Sequence, residues 1–271
     1  MNKKFNLLKL LKNTPLSVLL IGVTGMASAN NFYAAVNGAQ QGVSVRTLKL
    51  QQVSFFATPF PVNGIAAGPN NDVYLVSGNH IYNYTVAGVL IKNMTNADAN
   101  INYTDISIMG DRVYTSYSGS KRGVSVRDLA LVSVSSFSAP FNIKAIVAGV
   151  NNDVYLASGN SLYRYQTSGI LLTFITFSDI RLNYTDVAVT CGKLLSSYSG
   201  SQRGVSVRDL TTLAQSSSFS TSFEIGGLIA GQNNNVYLSS NNYLFNYTLA
   251  GIQKQNVAAP QTTLFYGDLT R

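Results

Sequence analysis

Hydrophobic and polar positions in this chain alternate between short apolar runs and small turn clusters. Ile65-Ala66-Ala67 is followed by Asn70-Asn71, Val73–Val76 by Ser77-Gly78-Asn79, and Ile81–Tyr84 by Ala87-Gly88, after which Val89–Ile91 begins. The runs are too short for helices and have no 3.6-residue period, so they predict β-strands. The Gly and Asn positions supply the positive φ that tight hairpins need. A second group of runs, Tyr103–Met109, Arg112–Tyr117, Gly123–Asp128 and Leu131–Phe137, has the same character. Because the runs are nearly continuous in apolar residues, the predicted sheets are covered on both faces.

The pattern repeats. Gly42-Val-Ser-Val-Arg-Thr-Leu48 returns as Gly123–Leu129 and Gly204–Leu210, and Asp72-Val-Tyr-Leu75 returns as Asp153–Leu156 and Asn235–Leu238. Each of the three periods, about 81 residues long, splits into halves of about 40 residues with four strands apiece, the size of a propeller blade. The predicted fold is therefore all-β: a six-bladed β-propeller over 30–271, built from three two-blade units. Phe32-Tyr33 aligns with the second strand Val113-Tyr114, while Phe265–Leu269 resembles the first strands Asn102–Ile106 and Asn183–Val187. The C-terminal strand is thus expected to join the N-terminal blade, which removes both open edges. The pairs Ala67-Gly68, Ala148-Gly149 and Ala230-Gly231 are expected beside the axis, where converging blades leave little room.

Arg112-Val-Tyr-Thr-Ser-Tyr-Ser-Gly-Ser-Lys-Arg-Gly-Val-Ser-Val-Arg-Asp-Leu129 resembles the repeat of YVTN-type bacterial propellers. The other half-unit, Gly64-Ile65-Ala66 through Asp72–Leu75 to Asn79, is similar to NHL-like repeats. Tyr117 and Ser118 stand near the Asn of the YVTN pattern, a departure from it. The resemblance implies a secreted propeller. It is poor for function, since such propellers serve as surface proteins, binding scaffolds and in some cases enzymes.

The N-terminus changes the charge argument. Residues 1–29 carry Lys3, Lys4, Lys9 and Lys12, then the apolar run Leu16–Val23, then Ala27-Ser28-Ala29, the organisation of a cleaved secretory signal peptide. The expected location is periplasmic or extracellular, with no membrane span in the mature chain. Of 19 basic and 11 acidic side chains, four lysines lie in the signal, which leaves 15 against 11. That mild excess, without basic blocks, argues against a nucleic-acid partner. Cys191 is the only cysteine, so no internal disulfide forms, and its apolar setting suits a core residue. His80 is the only histidine and Glu224 the only glutamate of the mature chain. No hydrolase, zinc-protease, P-loop or dinucleotide motif occurs, so no catalytic residue and no cofactor are assigned.

Candidate ligand contacts come from loops on the upper face, where innermost strands begin. One set is Tyr103 and Asp105, Tyr184 and Asp186, and Tyr266 and Asp268, related by the threefold repeat; the other is Tyr117 and Arg122, with Tyr198 and Arg203. Tyr stacking and Arg–carboxylate pairing suit a protein or glycan ligand. The Asp trio has two readings: local acceptors of backbone N–H bonds, or donors to a hard cation in a metal-dependent hydrolase or lyase. Arg46, Arg127 and Arg208 are expected to stabilise the bend after the third strand, and His80 to be an ordinary turn residue.

Overall fold

The computed structural model describes residues 31–190 and 192–271; the expected signal peptide, 1–29, and Cys191 lie outside the described residues. The chain forms six four-stranded antiparallel sheets. In chain order their first, innermost strands are Leu264–Thr270, Gly64–Ala67, Ile101–Met109, Ala145–Ala148, Leu182–Thr190 and Gly227–Ala230. Each innermost strand lies against those of the two neighbouring blades, so the six sheets circle one axis. The architecture is a six-bladed β-propeller.

The first blade combines the two ends of the chain. Leu264–Thr270 pairs antiparallel with Asn31–Gly38, followed by Gly42–Thr47 and Gln52–Ala57. Every other blade is contiguous: the second continues through Asp72–Ser77, His80–Thr85 and Leu90–Thr95, and the fourth through Asp153–Ser158, Ser161–Gln166 and Leu171–Thr176. Second strands are buried along their length, as in Asp72–Ser77. Fourth strands are largely exposed, as in Gln215–Ser220.

Two devices alternate around the ring. From even to odd blades, the tyrosine of each Val-Tyr-Leu strand donates its hydroxyl hydrogen bond to a carbonyl of the next blade: Tyr74 to Leu129 at 2.8 Å, Tyr155 to Leu210 at 2.9 Å and Tyr237 to Leu48 at 3.0 Å. From odd to even blades, Phe56, Phe137 and Phe219 stack on Tyr84, Tyr165 and Tyr247, at 5.7, 5.3 and 5.5 Å between ring centroids. Burying aromatic rings at every interface removes large apolar areas from water while giving the one polar tip a partner.

Ala67, Ala148 and Ala230 line the central cavity, as expected, and the tyrosines add a second constraint on the glycines that follow these alanines. A Cβ at Gly149 would stand 2.6 Å from the ring of Tyr155, and one at Gly231 2.5 Å from Tyr237. These glycines make room for the interblade ring.

The bend after the third strand of the odd blades places Leu50, Leu131 and Leu213 at positive φ, 62°, 63° and 59°. A branched side chain is strained there. Arg46, Arg127 and Arg208 hold the bend as expected, each donating to that leucine's carbonyl at 2.7, 3.0 and 2.9 Å. His80 is bonded to Thr95 through Nδ1 at 2.9 Å and stacks on Tyr82, which fits a turn role.

Candidate functional site

The three acidic residues converge on the axis. Asp105, Asp186 and Asp268 line both a cavity of about 410 Å³ at the upper mouth and one of about 440 Å³ towards the lower end. Each carboxylate accepts two backbone N–H bonds, one from its own strand and one from the next blade. Asp105 takes Ile106 and Ile146, both at 2.7 Å. Asp186 takes Val187 at 2.7 Å and Leu228 at 2.5 Å, and Asp268 takes Leu269 and Ile65, both at 2.8 Å. The trio therefore joins odd blades to even ones, completing at the axis what the aromatic stacks do further out.

This position is electrostatically costly. Burial, then the charges of Asp268 and Asp186, push the Asp105 carboxyl well above its ordinary value, and burial followed by the Asp268 charge does the same to Asp186. Burial raises Asp268 to about 6, with the backbone N–H groups pulling the other way. Like charges drawn together away from bulk water resist full ionisation. Among the described residues no group of three His, Cys, Asp or Glu side chains is placed to hold a metal ion.

The tyrosines are not where a ligand could stack. Tyr103, Tyr184 and Tyr266 are buried, at 0%, 1% and 4% exposure. Their hydroxyls are engaged: Asn96 donates to Tyr103 at 3.2 Å, Arg208 to Tyr184 at 2.9 Å, and Arg46 to Tyr266. Tyr184 is further stacked on Phe177, 4.6 Å between centroids. The sequence places these residues correctly at strand starts, but the rings turn into the interblade space because that is where an aromatic side chain loses most water contact. Tyr198 is buried as well, edge-on to Phe177. Tyr117 is half-buried, and the glycine beside it in the repeat is required by the backbone: a Cβ at Gly123 would stand 2.1 Å from the Phe137 carbonyl, as at Gly42 and Gly204 against Phe56 and Phe219 at 2.1 and 2.2 Å.

Arg122 and Arg203 differ. Arg203 is half-buried and pairs with Glu224 at 3.6 Å, whereas Arg122 is exposed. Arg122 lines a lateral pocket of about 670 Å³ on the upper face, beside the axial mouth, together with Lys144, Asn142, Asn183, Thr104 and Thr185. Of these the sequence reading singled out Arg122 alone. The missed signal is a break in the repeat: Lys144 stands where the sister units have Asn63 and Gly226, and Asn142 where they have Pro61 and Glu224. No helix among the described residues is long and apolar enough to cross a membrane.

No family model matches this sequence, and no curated protein matches it. The chain is similar in fold to a protein of unknown function from Bacteroides caccae, whose crystal structure was determined at 1.35 Å resolution. The two superimpose with a TM-score of 0.73 over 89% of this chain and 98% of that one, at 10% sequence identity. A likeness at that identity shows the shared propeller and nothing finer.

Proposed function

We propose that this chain is an exported, non-catalytic binding propeller of the YVTN/NHL-like class that engages a protein or glycan on its upper face. The observation that carries the reading is the adjoining pair of upper-face concavities, the axial mouth and the lateral pocket, both lined by Lys144, Thr104 and Thr185. A concave site with a few convergent polar groups is where ligands bind on rigid scaffolds. The Tyr and Asp members of the expected set support this face from within, holding its blades together, while Arg122 faces the ligand. Export rests on the signal-like 1–29 segment, and places the protein in the periplasm or outside the cell.

The test is capture on glycan and surface-protein arrays by the mature chain, compared with Asn142→Ala/Asn183→Ala/Thr185→Ala on the upper face and Lys49→Ala/Arg112→Ala on the lower. Loss with the upper set and retention with the lower set is expected. Capture that survives the upper set would overturn the assignment. Stoichiometric metal with chelator-sensitive turnover would replace it by the metal-dependent hydrolase or lyase reading.

A further inference from the structure

We propose that the lateral pocket recognises an acidic saccharide, a uronic-acid-bearing oligosaccharide whose carboxylate is held between Arg122 and Lys144. This deepens the binding reading above and rests on it. The repeat supplies its own controls. A faithful threefold copy would give three equivalent upper-face pockets, yet the charged positions differ in each unit.

At the Arg122 position the first unit has Gln41, and the third has Arg203, which is already paired with Glu224 at 3.6 Å. Asn142 occupies the place of that glutamate, so Arg122 keeps its charge uncompensated. At the Lys144 position the sister units have Gly226 and Asn63, whose amide donates to the Tyr103 carbonyl at 3.1 Å. Arg122 and Lys144 are both exposed and line the same pocket, and among the described residues neither has a carboxylate partner. Lys144 also fronts the axial mouth, where its charge favours the ionised forms of Asp186 and Asp268, but those carboxylates are held by backbone N–H groups.

Two cations without an ion-pair partner in one concavity select an anion. A guanidinium presents a planar fork to a carboxylate and an ammonium a mobile point charge, so together they can hold one carboxylate from two sides. The remaining polar lining, Thr104, Ser118, Asn142, Asn183 and Thr185, consists of hydroxyls and carboxamides, which donate to and accept from ring hydroxyls alike. The hydrophobic lining residues Ile143 and Tyr184 are buried, so the accessible apolar surface of the pocket comes from carbon atoms of the other lining residues, which suits the C–H face of a sugar ring. That balance favours a sugar acid over an acidic peptide. A volume of about 670 Å³ suits a short oligosaccharide.

The experiment is calorimetric titration of the mature chain with trigalacturonate and with a hyaluronan tetrasaccharide, set beside neutral trigalactose and an Asp-rich hexapeptide. We expect at least one uronide to bind, trigalactose to bind about tenfold more weakly or not at all, and Arg122→Gln/Lys144→Gln to weaken uronide binding by about tenfold or more. Arg203→Gln, at the neutralised sister position, should leave uronide binding within about twofold, and matching melting curves should show that both variants fold. Equal binding of trigalactose, or an unaltered double variant, would overturn the proposal. Tighter binding of the hexapeptide would replace the saccharide by a peptide carboxylate. If neither uronide binds, the saccharide assignment falls alone where array capture is still lost with the Asn142/Asn183/Thr185 variant, and the upper-face reading falls with it where capture is unaffected.

Discussion

At the scale of single residues, the recurring arginine of the repeat does unequal work in its three copies. Arg208 donates to Ser206, Leu213, Tyr184 and Gln215, and Arg46 makes the same four bonds with Ser44, Leu50, Tyr266 and Gln52. Arg127 keeps only the bond to the Leu131 carbonyl, and its Nε is buried without a partner. The cause is local: Ser133 occupies the place of Gln52 and Gln215, and Tyr103 bonds to Asn96 instead. A buried cation is tolerated in proportion to the bonds that replace its water. Arg208→Met should therefore cost about 3 kcal/mol, mostly from the unpartnered acceptors left behind, and Arg127→Met less than about 1 kcal/mol. Urea denaturation of the two variants checks this, and equal losses would mean that the network adds nothing to the single bond at the bend.

At the scale of elements, outer strands divide into guarded and unguarded edges. Lys92 and Lys254 lie in the fourth strands of the second and sixth blades, and Ser133–Ser138 and Gln215–Ser220 present mostly serines. The fourth blade's outer strand, Leu171–Thr176, carries no charge and exposes Leu171, Leu172 and Phe174, with Ile170 beside it. An apolar, uncharged edge is a template for pairing with another chain. Leu172→Lys should reduce self-association in concentrated solution, measured by light scattering, while changing stability by no more than about 0.5 kcal/mol. Unchanged scattering would clear this strand. The elements themselves were legible from the sequence because strand and turn signals recur three times, as Gly42, Gly123 and Gly204 show. The site was less so. The second bond of Asp105 reaches a blade 41 residues away, at Ile146, and no local pattern announces it. The direction of the Tyr184 ring depends on Phe177 and Arg208 of its own blade surroundings, and Lys144 is a single departure from a repeat whose agreement drew the eye elsewhere.

At the scale of the whole molecule, the axis sets how stability depends on pH. The three axial carboxyls titrate above their ordinary value in the folded state, Asp268 at about 6. For an acid displaced upward, the folded chain binds protons more tightly than the unfolded one, so its contribution is most favourable below the ordinary value of 3.8 and is lost as pH rises through about 6. The surface acids Asp98, Asp179 and Asp209 are displaced downward by local hydrogen bonds, so they are fully ionised in both states above about pH 5 and leave that window to the axis. The propeller should melt higher at pH 5 than at pH 8, with Asp268 alone accounting for a difference on the order of 1.4 kcal/mol. Asp268→Asn keeps an acceptor for one backbone N–H but removes the ionisation, so it should lower the melting temperature at pH 5 and flatten the slope between pH 5 and 8. A wild-type curve that instead rises with pH would show that the axial carboxyls ionise freely. If that rise disappeared on adding a chelator, a cation on the axis would be compensating the three charges, and the ring of staples would have to be read as a binding site.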